Sequence, residues 1–347
     1  MESILKQVLG IDVSQDELVV KLGRMRKDCI TEVYASKNFV NNLSGFTSLV
    51  GWVNKLKNNN VSIRYVMEAT GVYHELLAYY LDENAIEVSI VLPVKISNYM
   101  RSLDKKTITD STSAEAITFF GLERDLAKWQ RPTKVYKSLR QLTRERSQII
   151  EMRTICKNQL HAEKSEAEPS ESGVIRLNTH ISLLELQERE VMSEIKALIK
   201  SDQEVREAAE LLCSIPGVGI LTAATVLGET NGFDLIRNKN QLVSYAGLDI
   251  IEKQSGTSIK GKPRISKKGN KYLRKSLHLP ALSAIQHDKR FKGVFVRLVS
   301  RDGVKMKAAV AVQRKLLEMM FTIYKKKERY NPNYFIAKSE SIVCEKN

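Results

Sequence analysis

The sequence predicts an α/β domain with a mixed sheet, then two long helices, then a mainly helical region. Three observations carry this. Strand-like apolar runs open the chain and then alternate with helical spacing as far as Phe120. From about residue 135 to 200 the chain is charged and helix-forming, with one interruption at Glu168-Pro169-Ser170-Glu171-Ser172-Gly173. Beyond residue 203 the spacing is helical again and punctuated by glycine.

Taken in order, residues 4–13 read as a strand, and 16–22 and 30–35 follow it as a meander. Residues 43–57 carry helical spacing through Leu43, Phe46, Leu49, Val50, Val53 and Leu56. A strand at 62–68, a helix from about 73 to 83 and a strand at 86–92 come next. Pro93 closes that last strand because it has no N–H to give the ladder. Asp110 to Phe120 reads as a helix with Asp110 as its N-cap. Arg131-Pro132 marks a boundary. The expected domains are 1–130, 131–202 and 203–330, with a flexible tail at 331–347. In the middle region Leu139, Leu142, Ile149, Met152 and Ile155 form one apolar stripe. Ile181, Leu184, Leu186, Val191, Ile195 and Leu198 form the other. Two such helices read as an antiparallel hairpin or coiled-coil arm, serving as a spacer or as a partner-binding or dimerising element.

Composition narrows the function. The 347 residues are 43% hydrophobic and 27% charged, ordinary for a globular chain of two or three domains. The net charge of +15 predicts a polyanionic partner. A membrane surface is the competing polyanion, but no run of ~18 apolar residues exists to span a bilayer. The N-terminus, Met1-Glu2-Ser3-Ile4-Leu5-Lys6, lacks the layout of a secretory signal. Cys29, Cys156, Cys213 and Cys344 are scattered, which supports neither a zinc site nor a disulfide framework and fits reduced cytosol.

Two carboxylates stand out. Asp12 ends the run Val8-Leu9-Gly10-Ile11, and Glu68 ends Ile63-Arg64-Tyr65-Val66-Met67. A charge in a sheet interior is costly unless it is paired or binds a metal. With Asp110 at the head of a helix they suggest a divalent-metal site working on nucleic acid. Taken alone, Asp12 reads equally as a strand-end turn residue and Asp110 as a helix cap. A fourth ligand is not evident. Ser113 can face the same side as Asp110, Glu115 points away in an ideal helix, and Asp104 lies upstream.

The second candidate region is basic. Ser214-Ile215-Pro216-Gly217-Val218-Gly219-Ile220 resembles a helix-hairpin-helix turn, in which Gly217 and Gly219 let backbone N–H groups meet a phosphate. An ordinary helix–helix turn is the alternative. No Asp or Glu occurs from Lys253 to His287, while nine Lys or Arg lie between Lys253 and Lys275. Such a one-sign block reads as a phosphate-binding loop, with Lys260, Lys262, Arg264, Lys267, Lys268, Lys271 and Arg274 on the backbone. Ser255, beside Gly256 and ahead of the cationic block, is placed to attack a phosphodiester. For any one serine, loop hydrogen bonding is the ordinary role.

Gly10-Ile11-Asp12-Val13-Ser14, Met67-Glu68-Ala69-Thr70-Gly71-Val72-Tyr73 and Thr109-Asp110 resemble the N-terminal domain of the DEDD insertion-sequence transposases, relatives of the pilin-gene invertases. Ile215-Pro216-Gly217-Val218-Gly219, Tyr245-Ala246-Gly247-Leu248, Ser255-Gly256 and Ile265 to Arg274 look like that family's second domain. The resemblance implies a RuvC-like (RNase H-type) first domain, a coiled-coil arm and a mainly α transposase domain. It implies that Asp12, Glu68 and Asp110 hold one or two Mg²⁺ and that a serine is the nucleophile, Ser255 first and Ser266 second. It further implies DNA recombination through a four-way junction, guidance by a structured non-coding RNA of the element (a bridge RNA), and a homo-oligomer, dimer or tetramer, in the bacterial cytosol. The chain departs from the family pattern at Ser113, where a second Asp is usual. Two alternatives stand beside this reading: a junction-resolving Mg²⁺-dependent nuclease that uses water, and a catalytically impaired nucleic-acid-binding protein.

Overall fold

The computed structural model describes residues 4–69, 71–103, 107, 109–252, 254–255, 259–261 and 263–333, without the side chains of 254, 255, 259 and 260. By internal packing the chain divides into two units, Met1–Arg131 and Pro132–Asn347.

In the first unit the elements are β1 (Ile4–Val13), β2 (Glu17–Arg26), β3 (Thr31–Val40), α1 (Leu43–Leu56), β4 (Ile63–Glu68), α2 (Glu75–Glu83), β5 (Val88–Val91), α3 (Pro93–Ser102) and α4 (Asp110–Glu123). The sheet order is β3-β2-β1-β4-β5. β2 runs antiparallel to both neighbours, whereas β1, β4 and β5 are parallel. This mixed order fits an RNase H-type, RuvC-like domain. β2 runs past the sequence reading because residues 23–25 pair with 31–33 beyond a register shift, and β3 because residues 36–40 pair with 17–21.

The sheet is covered on both faces, which explains why β1 reads as a near-continuous apolar run. Leu9, Ile11, Tyr65 and Met67 pack with residues of α1 and α2. Val8, Val66 and Val91 on the other face pack with α3 and α4. Glycine sets how closely α4 can lie. A Cβ at Gly10 would stand 2.2 Å from Thr118 Oγ1 and 2.5 Å from its backbone N. At Gly121 it would meet Val8 and Val66 side chains at 2.8 and 2.9 Å. Ala114 lies over Gly10 and Gly121 over Val8, so α4 runs opposite to β1. Its first turn therefore reaches the carboxyl ends of β1 and β4.

Two local features differ from the sequence reading. Pro93 ends the β5 segment and also occupies the first position of α3, where a missing N–H costs nothing. The N-cap of α4 is Thr109 rather than Asp110. Thr109 Oγ1 accepts from the Thr112 N–H, and Thr112 Oγ1 accepts from the Thr109 N–H at 2.8 Å. That reciprocal pair releases Asp110 from capping.

The second unit holds α5 (Lys134–Lys164), α6 (Glu171–Ser201), α7 (Gln203–Cys213), α8 (Ile220–Thr230) and α9 (Lys239–Tyr245). Four short strands follow: β6 (Ile250–Ile251), β7 (Gln254–Ser255), β8 (Ile259–Lys260) and β9 (Arg264–Ile265). It ends with α10 (Lys271–Ser276), α11 (His278–His287), α12 (Lys289–Asp302) and α13 (Lys305–Lys326). β6 pairs with β9, and β7 with β8, each antiparallel.

α5 and α6 form an antiparallel pair. Arg146 and Arg153 both reach Glu188, and Lys157 reaches Glu185. Ile149 and Cys156 are buried with Ile181, Leu184, Val191 and Ile195. Met152, Ile155 and Leu186, read as seam residues, are 46%, 57% and 45% exposed. Cys156 takes the inward position on that turn instead. The base of the pair is not a separate body: a Cβ on Gly228 of α8 would stand 2.7 Å from the Arg140 backbone of α5.

The close approach at Gly10 gives a direct test. Gly10→Ala forces α4 off the sheet, at a cost of about 1–3 kcal/mol by overpacking. A lowered denaturant midpoint with the same slope is expected. An unchanged midpoint would mean that α4 is not held where the structure places it.

Candidate active site

The last bonded pair of β1 with β4 is Ile11↔Met67, so Asp12 and Glu68 are next in register on adjacent parallel strands. Side chains alternate along a strand. Asp12 therefore shares a face with Gly10, and Glu68 with Val66, and that is the face α4 covers. Asp110 is the first residue of α4, where the helix dipole favours a carboxylate.

The three sequence-predicted carboxylates are thus brought to one end of the sheet, and they feel one another. Asp12 is half-buried, and its pKa rises from 3.8 to about 6. Burial is the main cause, followed by the charges of Asp110 and then Glu68. Among the described residues, no three His, Cys, Asp or Glu side chains are gathered as a metal-ligand group. The donors fit a divalent cation by chemistry: hard oxygens carrying mutual repulsion that a cation relieves. Glu115 does not join them, because its Oε2 accepts from Lys21 Nζ at 2.8 Å, on the β2 side of α4. Ser113 is half-buried, its N–H bonded to the Thr109 carbonyl within the first turn. Asp104 lies outside the described residues.

The second set lies in the second unit. Gly217 has φ +87°, and a Cβ there would stand 2.5 Å from the Pro280 carbonyl of α11. Its glycine is required by packing. Gly219, the N-cap of α8, is exposed with open space around it. Arg264, Lys267, Lys268 and Lys271 are exposed. Arg274 is half-buried and its Nη1 donates to the Ala246 carbonyl at 2.8 Å, so it serves the fold. Lys262 and the side chain of Lys260 lie outside the described residues, as does the side chain of Ser255. Ser255 has its backbone in β7, opposite Ile259. Ser266 Oγ donates to Asp249 Oδ1, and the Ser266 N–H donates to the Asp249 carbonyl. These two bonds close the neck of the basic hairpin.

Sequence reasoning missed the groups that hold this loop. Glu229 is fully buried in α8. It accepts from Arg144 Nε and Nη2 of α5 at 2.7 and 2.8 Å and from Asn270 Nδ2, the α10 cap, at 2.6 Å. The Arg144 guanidinium also lies 4.7 Å from the Tyr272 ring centre. A signal existed: Glu229 is the one charge in the run Ile220–Thr230. That argument singled out Glu68 and applies equally here.

Two measurements follow from these geometries. The raised Asp12 value means that protonation favours the folded chain, so stability falls as pH rises from 3.8 towards about 6 and then levels. Carbon-13 NMR should find Asp12 titrating near 6, and Asp110→Asn should move it towards the ordinary range. No movement in that variant would separate the two carboxylates. For the loop, removing Lys267 and Lys268 together should lower the salt slope of duplex-DNA binding by about two. An unchanged slope would take both off the phosphates.

Comparison with known proteins adds three findings. A family profile described as DEDD transposase of IS110 type matches residues 9–163, and one described as Transposase IS116/IS110/IS902 family matches 209–295. The chain is 28% identical over 298 residues to the pilin gene-inverting protein of Moraxella bovis, covering 84% of this chain and 89% of that protein. It is 29% identical over 143 residues to the transposase for insertion sequence element IS1111A of Coxiella burnetii, covering 40% of this chain and 37% of that one. Among solved structures, RuvC of T. thermophilus in complex with a Holliday junction substrate covers 35% of this chain and 99% of its own, at 8% identity and a TM-score of 0.27. The first profile spans the first unit and runs on through α5, the second lies within the second unit, and the chain belongs to the IS110 family of DEDD-type transposases and recombinases.

Proposed function

We propose that this protein is a DNA transposase that cuts and rejoins DNA by serine-mediated strand exchange. The observation that carries the reading is the meeting of Asp12, Glu68 and Asp110 at one end of the five-stranded sheet, where burial first, then Asp110 and Glu68, raises the Asp12 pKa to about 6. The likeness to a pilin gene-inverting protein over 84% of this chain supports recombination in place of simple cutting.

In this reading Ser255 Oγ loses its proton and attacks a backbone phosphorus. A bond forms between that oxygen and phosphorus, and a deoxyribose oxygen leaves as a hydroxyl. The DNA is then linked to the protein through a phosphodiester, which conserves the energy needed for rejoining. A second deoxyribose hydroxyl attacks the same phosphorus, and the serine leaves with a proton. Asp12, Glu68 and Asp110 would hold Mg²⁺, which when bound supplies charge neutralisation at the phosphate and leaving oxygen. Lys267, Lys268 and Lys271 hold the strand by its phosphates. A structured RNA and a second copy of the chain are further partners in this reading, both from the family resemblance.

Ser255→Ala should abolish recombination and any denaturant-stable protein–DNA adduct. Asp12→Ala or Glu68→Ala should abolish cleavage and leave duplex binding within about threefold, since phosphate contacts supply most of that affinity. Cleavage without an adduct in the wild type would favour the water-using nuclease. Salt-sensitive binding with no Mg²⁺-dependent cutting would leave a binding protein only.

A further inference from the structure

The second unit contains a concave site that the proposed chemistry does not use. It is a cavity of ≈ 600 Å³ between the β6–β9 pair, α12 and α13. That volume falls in the range of about 300–1,000 Å³ occupied by small-ligand sites. Its floor is aliphatic, built from Leu248, Ile265, Val294 and Leu298. Ile250 and Met306 stand at its mouth, 57% and 60% exposed. The rim carries Arg264, Arg297, Arg301, Lys307, Arg314 and Lys315 against one carboxylate, Asp302.

Among the described residues, four of the six rim cations have carboxylate partners and two do not. Asp302 is shared by Arg301 and Lys307, and Glu318 by Arg314 and Lys315. Among the described residues, Arg264 and Arg297 have no carboxylate partner. An occupant must therefore bring an apolar body for the floor and anionic groups for the edge. A base-paired duplex offers its phosphates to the rim and puts nothing in the cavity. An unpaired nucleotide does both: its base enters, and its flanking phosphates meet the arginines. Continuity favours nucleic acid over an acidic peptide. Arg264 in β9 is three and four residues from Lys267 and Lys268, so a strand held by the basic loop runs directly onto this rim.

We infer that this cavity binds the base of an unpaired nucleotide, with Arg264 and Arg297 on the adjoining phosphates. The inference rests on the nucleic-acid reading above and adds a second site that distinguishes unpaired from paired strand.

The test uses the full chain and duplexes carrying a single bulged 2-aminopurine, the same duplexes with an abasic bulge, and unbulged duplexes, in DNA and RNA form. The bulged base should bind about tenfold more tightly than the abasic bulge, with a change in 2-aminopurine emission. Whichever backbone shows this is the natural source. Met306→Asp and, separately, Ile250→Asp should cut the preference to about twofold or less while unbulged binding stays at the wild-type level. Both side chains are exposed, and unchanged thermal midpoints will confirm folding. Equal affinity for base and abasic probes in the wild type, in both backbones, overturns the inference. So does a preference that survives both substitutions. Binding of an acidic amphipathic peptide that Met306→Asp abolishes, with no base preference, assigns the cavity to a protein partner and overturns it as well. Absence of all duplex binding is a different failure, that of the nucleic-acid reading itself.

Discussion

The closeness of α4 to the sheet is the constraint on which the first unit depends. Two glycines, Gly10 under the helix and Gly121 within it, remove the Cβ atoms that would hold the layers apart. Thr118 then fixes the helix by donating to the Lys21 carbonyl of β2 as well as to its own Ala114. Interiors are packed too tightly for such a helix to shift by a methyl group without consequence. Because α4 runs opposite to β1, the seating of Thr118 and Gly121 decides where Asp110 stands relative to Asp12. Chemistry at one end of the domain is therefore set by packing at the other.

A buried carboxylate organises the second unit in a comparable way. Glu229 joins α5, α8 and the cap of α10 through Arg144 and Asn270. An ion removed from water needs its lone pairs occupied. Here a bidentate guanidinium and an amide fill three of about four acceptor sites, and Tyr245 Oη donates to the Glu229 backbone carbonyl at 3.0 Å. From Asn270 the restraint passes to the neck of the basic hairpin, closed by Asp249 and Ser266. Charge in this unit has two uses. Arg144 and Arg274 are consumed by the fold, whereas Lys267, Lys268, Arg264 and Arg297 face solvent.

The two units handle like charge differently. Three carboxylates in the first unit repel one another, and burial together with that repulsion raises the Asp12 pKa. Such an arrangement persists in a folded chain only if packing over-determines it, which the α4 contacts do. In the second unit excess positive charge lies at the surface, where water and salt screen it. The first arrangement suits a hard cation and the second a polyanion.

Most of the secondary structure was legible from residue order. Apolar runs gave the strands, 3.6-residue spacing gave α1, α5 and α6, and the Pro/Gly break at 168–173 gave the turn between the last two. Asp12 and Glu68 were legible as carboxylates ending apolar runs, because burying a charge is costly whatever the fold; Glu229 carries the same mark and was passed over. What surrounds those charges was not legible. The sequence could not show that Thr109 would take over capping, that Lys21 would claim Glu115, or that Cys156 would replace Met152 and Ile155 in the helix seam. Nor could it separate Arg274, turned onto the Ala246 carbonyl, from the exposed lysines beside it. Local preference is written in neighbours three or four residues apart. The partners of a side chain come from segments a hundred residues away, and only close packing in three dimensions chooses among them.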